Sequence, residues 1–447
     1  MDLAGKLSLY GKPGKPSGPA ATGHDQDKSG ESVRAGLELS QPSVLTFSGL
    51  EFSEISPDLY FRREVYEDLQ LGDARLSELL VQPMQFLDDL LPVDSQPATP
   101  AMIHRNEVLF LDTETTGLGR GPGNFPFLYG LAWISEQGLI FEQYFLNGPG
   151  AEESFHQILR DLVSRFSAIC SYNGKSFDIP LIRNRFILLG ERFRAPPVHL
   201  DLFHFWRSVG GGMRKKLRNR SSEVGKKKGF KQKNMEEEVL AFYREDDLPG
   251  SEVPQVYFDF RKYGRNDRMH LVMKHNEWDL QGLALLFLKA IGIVNEQRDQ
   301  VSLYRSGIAR MFLRHGRSQE SLEILQDITA KPSDEGYLEE LLYGDRLLLG
   351  LLLKKAKRYE EADLIFEGLF RKYRCMQSCI ELSRYKELRC RDLSQALSIA
   401  REGLDLLEFR GVEAKDRYYQ DLIRRTRRLE NRLHGTQSEA NAAQRKR

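Results

Sequence analysis

The stretch FLDTETTGL, residues 110–118, runs an apolar strand directly into two acids and a Thr-Thr-Gly turn. Residues i and i+2 of a strand share a face, so Asp112 and Glu114 point the same way off its C-terminal end. Two carboxylates so close repel each other and contribute little to an apolar core. The fold must therefore solvate or neutralise them. In an open α/β sheet, the C-terminal end of a central strand is where ligands usually bind. The pair alone also fits a solvated cap beside a turn.

The neighbouring segments supply such a sheet. VLFLD (108–112) reads as a buried strand, and FLYGLAWIS and LIFEQYFLN, separated by EQG, read as a hairpin. An amphipathic segment from Glu152 to Phe166, a short strand AICSY, the loop NGKSFD, a helix through LIRNRFILLG and a strand VHL before Asp201 follow. A helix from His275, HNEWDLQGLALLFLKAI, closes the block. This order predicts a mixed α/β layer with its first strand central.

Two further clusters belong with the first pair. SYNGKSFD puts Asp178 at the start of a helix, and HNEWD puts His275 and Asp279 four residues apart, on one helix face. Four acids from three segments, with a histidine beside them, can hold two hard divalent cations, Mg²⁺ or Mn²⁺, about 4 Å apart for in-line attack of water on phosphorus.

DTETTG, YNGKSFD and HNEWD, in this order, resemble the three motifs of the DEDD, or DnaQ-like, 3'-to-5' exonucleases of the ribonuclease H-like fold. Together with YNGKSFDIPLIRNRF and FYREDDLPGSEVPQVYFDF they resemble the bacterial YprB-type ribonuclease H-like proteins, which often carry tetratricopeptide-like repeats behind the nuclease domain. The resemblance covers roughly 106–290. It implies a metal-dependent hydrolase acting on the 3' end of DNA or RNA. It further implies that Asp112, Glu114 and Asp279 hold one cation, that Asp112 bridges to a second, and that Asp178 supports that second site. Thr113 and Leu118 would meet the terminal nucleotide, with Asn173 and Phe177 shaping its pocket. Exonucleases of this superfamily carry either His five residues before the last Asp or Tyr four before it. His275 stands at the tyrosine spacing, about 40° around the helix from Asp279, so a general-base role is expected of it, with a helix cap as the competing reading. A rival class is a catalytically silent nucleic-acid-binding or protein-interaction scaffold on the same fold.

The flanks complete the plan. Residues 1–45, rich in Gly, Pro, Ser and Lys, read as a disordered leader. Residues 46–105 carry apolar clusters too sparse for a core of their own and should pack on the domain that follows, 106–292. Within it, 214–233 holds ten Lys or Arg against the single acid Glu223, either a solvated loop or a patch for phosphates. From 300 to 434, HGRSQESLEIL, AKRYEEADLIF and CRDLSQALSIA repeat a polar turn and an amphipathic helix. Ser321, Ala362 and Ala396 take the equivalent small position, as in tetratricopeptide-like repeats, a surface for a protein partner. Residues 435–447 read as a disordered tail.

Sixty-five basic against 64 acidic residues leave a net charge of +1, so no whole-protein field attracts nucleic acid or membrane. Four cysteines argue against a disulfide scaffold. The longest apolar run, LLLGLLL, is too short to span a bilayer, and a cytoplasmic protein is expected. GLGRGPGN fails the dinucleotide-binding spacing at Pro122 and Asn124. Asp201 is expected to cap a helix, and Trp133, Trp206 and Trp278 to lie in the core.

Overall fold

The computed structural model describes residues 43–80, 103–117, 123–218, 229–295, 304–330, 336–413 and 415–444. Described residues up to Trp206, together with 229–295, form one compact unit; those from Arg207 to Arg218 and from 304 onward form a second.

The first unit is built on an eight-stranded mixed sheet. Its strands are β1 (Val44–Phe47), β2 (Leu50–Ser56), β3 (Leu59–Tyr66), β6 (Val108–Thr115), β7 (Pro126–Ser135), β8 (Gly138–Leu146), β9 (Ala168–Ser171) and β10 (Val198–Asp201), while β4 (Gln70–Leu71) and β5 (Ala74–Arg75) form a separate small hairpin. The order across the sheet is β1-β2-β3-β8-β7-β6-β9-β10. The predicted first strand, β6, is interior, antiparallel to β7 and parallel to β9. The expected mixed α/β architecture is therefore present.

The N-terminal extension does more than pack on this domain. Its β3 pairs with β8 from Leu59↔Leu146 to Tyr66↔Leu139, so the extension lengthens the sheet by three strands. Phe47, Phe52 and Leu59 are fully buried in the same core as Leu109 and Phe145. Strand β1 takes in residues 44 and 45 of the expected leader; residues 1–42 lie outside the described residues.

Helices α1 (Leu76–Leu80), α2 (Glu152–Val163), α3 (Asp178–Leu188), α4 (Leu202–Arg218), α5 (Gln232–Met235), α6 (Val253–Tyr263) and α7 (Met269–Asn295) complete this half of the chain. The closing helix α7 begins six residues before His275, because Met269, Val272 and Met273 extend its buried stripe N-terminally. His275 consequently stands well inside the helix and not at its cap. Gly130 on β7 lets α7 lie against the sheet: a Cβ there would meet Asn276 Oδ1 at 2.3 Å and Leu280 Cδ1 at 2.5 Å. Residues 214–218 of the basic run continue α4, and 219–228 lie outside the described residues. Trp206 is buried as expected, whereas Trp133 and Trp278 are only half-buried, with Arg63 and Lys274 stacked over their rings.

The second unit is helical: α8 (Arg305–Arg314), α9 (Ser318–Ala330), α10 (Gly336–Lys355), α11 (Tyr359–Tyr373), α12 (Met376–Leu388), α13 (Leu393–Phe409) and α14 (Arg417–Gln444). Each packs on its neighbour in sequence. Helix α14 continues through most of the expected polar tail, where Gln437, Glu439, Ala440, Ala442, Ala443 and Gln444 are good helix formers. No helix among the described residues is long and apolar enough to cross a membrane.

His156 on α2 gives this core a pH dependence. Its ring stacks on Phe186 at 3.8 Å, and burial, then Arg185 and Arg160, push the imidazole down from 6.5 to about 4. Below pH 6.5 the unfolded chain takes up a proton that the native ring refuses, so the contribution is intact above that pH and falls as pH drops toward 4. His156→Phe should flatten the stability curve over this window, by up to about 3 kcal/mol at its acid end, measured by urea unfolding between pH 4 and 8. An unchanged slope would contradict it.

Candidate active site

The Thr-Thr-Gly turn that ends β6 is tied by its own side chains. Thr115 Oγ1 donates to the Gly117 carbonyl at 2.7 Å, Asn124 Nδ2 donates to the same carbonyl at 2.7 Å, and Thr116 Oγ1 accepts the Phe125 N–H at 2.9 Å. The strand thus stops where its two acids emerge. Glu114 is buried and Asp112 half-buried.

Asp112 is held from the helix side. Asn276 Nδ2 donates to its Oδ2 at 2.8 Å, while Asn276 Oδ1 accepts from Gln143 Nε2 at 3.0 Å. Gln143 Oε1 accepts from Arg62 Nη1 at 3.1 Å, and the same nitrogen donates to Glu277 at 2.9 Å. A relay therefore runs from the N-terminal extension through β8 and α7 to the first acid. Asp178, the first residue of α3, accepts from Thr113 Oγ1 at 2.6 Å.

Asp279 divides its two oxygens. Oδ1 accepts from Arg244 Nη2 at 2.5 Å, and Oδ2 lies 3.4 Å from His275 Nε2, which is also 3.9 Å from Glu114 Oε1. The other ring nitrogen, Nδ1, sits 2.6 Å from Asp247 Oδ1. Arg244 is buried and also forks onto Glu236, with two bonds of 2.7 Å. Lys233, the last cation of the basic run, reaches Asp247 Oδ2 at 3.1 Å.

The acids behave as one electrostatic group. Burial, then the charges of Asp279, Asp178 and Glu114, hold the Asp112 carboxyl well above the usual range. Burial pushes Glu114 up to about 8 against the pull of His275. Asp178 rises to about 6, again through burial, with the Thr113 bond opposing. Burial disfavours a charged His275, but Asp279, the Asp247 bond and Glu114 outweigh it and push the imidazole up to about 10. Asp247 falls to about 2 because His275, Arg244 and Lys233 outweigh its own burial. A cation among these carboxylates would offset their repulsion. The donor set fits one: Glu114, His275 and Asp279 each offer a ligand atom, all within 4.8 Å of one another.

Of the expected substrate residues, Thr113 spends its hydroxyl on Asp178. Asn173 adopts a left-handed φ of 64°, which asparagine tolerates well, and Phe177 is exposed beside Asp178. Leu118 lies outside the described residues. Asp201 caps α4 as expected, accepting the Phe203 N–H at 3.1 Å, and also takes the N–H groups of Asn173 at 2.8 Å and Lys175 at 3.0 Å. It shapes the loop ahead of Asp178. Glu236 and Gln143 carry no local signal, Asn276 stands inside HNEWD, and Arg244 and Asp247 stand in FYREDDLPGS, whose charged cluster between apolar segments is the clue to them.

Arg244→Met would leave Glu236 and Asp279 without their buried cation and should cost roughly 3–5 kcal/mol in urea unfolding. Burial already raises the Glu236 carboxyl above its ordinary value against the pull of Arg244, and losing Arg244 removes that pull, so the deficit should widen as pH rises. A loss under about 1 kcal/mol would mean that Arg244 does not balance these acids.

The profile of the RNase_H superfamily matches residues 109–291, the stretch that contains all of these groups except Arg62. Over 310 residues the chain is also 30% identical to a protein of Bacillus subtilis (strain 168) named "Uncharacterized protein YprB", an alignment covering 67% of this chain and 70% of that protein.

Proposed function

This chain belongs to the RNase_H superfamily, in the family of YprB, and from that premise we propose that it hydrolyses phosphodiester bonds of nucleic acid as a divalent-metal-dependent 3'-to-5' exonuclease of the DEDD type. The observation that carries the reading is the set of four acids, Asp112, Glu114, Asp178 and Asp279, delivered by a strand and two helices into one mutually repelling group. Such a group is costly to bury without cations, and cations there would supply charge stabilisation at phosphorus. Asp112, Glu114 and Asp279 would hold one ion, with Asp112 and Asp178 supporting another.

The chain's own residues do the rest. Arg244 and Asn276 orient Asp279 and Asp112, and Thr113 orients Asp178, so the carboxylates need little rearrangement on binding. Exposed Phe177 offers a face on which a terminal base can stack. Lys233 and the basic residues before it would draw phosphates toward the cleft without reading sequence.

The helical unit reads as a tetratricopeptide-like array that binds a protein partner. Ser321, Ala362 and Ala396 are each the fourth residue of every second helix, α9, α11 and α13, and all three are buried, which supports one repeated packing position.

Full-length protein with Mg²⁺ or Mn²⁺ should shorten matched single-stranded DNA or RNA oligomers from the 3' end, and a blocked 3' end should stop it. Asp112→Ala should abolish cleavage while the protein stays folded by circular dichroism. Metal-dependent cleavage retained by folded Asp112→Ala would overturn the assignment of the acids, and internal cutting of a 3'-blocked oligomer would replace the exonuclease with an endonuclease.

Replacing the basic run with a short neutral linker should weaken binding of the same oligomers and flatten the fall of affinity with salt. An unchanged salt slope would make the run a solvated loop only.

A further inference from the structure

Deepening the reading above and resting on it, we propose that His275 is itself a ligand of the ion assigned to Asp112, Glu114 and Asp279: Glu114, His275 and Asp279 form its three-donor set for a borderline cation such as Mn²⁺, with Asp112 beside them, and Asp247 positions the imidazole. Nε2 of His275 lies 3.4 Å from Asp279 Oδ2 and 3.9 Å from Glu114 Oε1. Ligand atoms bound about 2.0–2.2 Å from one ion stand roughly 3–3.5 Å from each other, so the His275–Asp279 pair already has that separation, and the three ligand atoms, all within 4.8 Å of one another, would draw together around a shared ion as Glu114 closes in. The far nitrogen is already committed, with Nδ1 2.6 Å from Asp247 Oδ1. A carboxylate on that nitrogen is the usual partner of a metal-binding histidine, fixing its tautomer and aim.

Glu114 is the independent observation. The residue is nine-tenths buried, and its carboxylate makes its ion-pair contact with that same Nε2. A carboxylate held this far from water is costly to keep charged, and a cation at the point shared with Nε2 and Asp279 would offset that cost. Arg244 binds only Oδ1 of Asp279, leaving Oδ2 on the His275 side. One imidazole in place of a carboxylate moves the preference from Mg²⁺ toward Mn²⁺ and later metals. The four-residue spacing of His275 from Asp279 thereby acquires a purpose: both side chains converge on one ion from adjacent turns of α7.

The test is pulsed electron paramagnetic resonance of the full-length protein loaded with Mn²⁺ alone, beside a Mn²⁺ titration. Wild type should show the hyperfine coupling of a directly bound ¹⁴N. His275→Ala should lose it, bind Mn²⁺ at least about tenfold more weakly, and regain the coupling when free imidazole is added. Asp247→Asn should keep the coupling with affinity down roughly 10–100-fold. Bound Mn²⁺ without nitrogen coupling in wild type, or unchanged affinity in His275→Ala, would overturn the proposal. The same samples assayed on an oligomer separate the two readings: coupling without cleavage overturns the nuclease and leaves the ligand, whereas cleavage without coupling does the reverse.

Discussion

The repulsion among four carboxylates at the end of one buried strand is the constraint around which the first unit is arranged. Asp112 and Glu114 leave β6 two residues apart, and α3 and α7 bring Asp178 and Asp279 to them. Burial raises the cost of charging Asp112, Glu114 and Asp178, yet the fold surrounds them with apolar strands where hydration would be cheaper. Only a compensating positive charge makes the arrangement sensible. Arg244 supplies it from the protein, His275 adds to it until a cation displaces the Nε2 proton, and divalent cations are the complement expected of a site in this superfamily.

That constraint explains features which otherwise look unrelated. The N-terminal extension joins the sheet edgewise, and its Arg62 anchors Gln143 and Glu277, the far end of the relay that turns the Asn276 amide onto Asp112. Gly130 has no side chain because Asn276 must come within touching distance of the strand directly opposite Asp112. Gly282 is likewise bare where Glu236, the second partner of Arg244, crosses α7; a Cβ there would meet Glu236 Oε1 at 2.0 Å. Long-range hydrogen bonds of this kind rigidify a site only when every member is satisfied.

Much of this was legible in the sequence, for definite reasons. Strands and acids in FLDTETTGL, YNGKSFD and HNEWD carry local periodicity together with unusual polar placement, so both the sheet and the four carboxylates could be read directly. Ser321, Ala362 and Ala396 were legible because a small residue recurred at one helical position. The partners of the acids were not, because Arg244, Asp247 and Gln143 gain meaning only when segments 28 to 133 residues apart meet, as with Asp247 and His275, Arg244 and Asp279 or Gln143 and Asn276. The sheet-extending role of residues 44–66 was equally hidden, since edge pairing to β8 leaves no mark on either strand alone. The start of α7 was placed late because the polar HNEWD motif draws attention from the apolar stripe before it.

Thermal unfolding of the full-length protein with and without Mn²⁺, set beside Asp112→Asn and Asp279→Asn, tests the central claim most directly. If the acids are a repelling group that cations neutralise, Mn²⁺ at about one hundred times its dissociation constant should stabilise wild type by roughly 2.7 kcal/mol, and each substitution should remove most of that gain. A wild-type melting temperature indifferent to Mn²⁺, or a gain retained in full by both substituted proteins, would contradict the account.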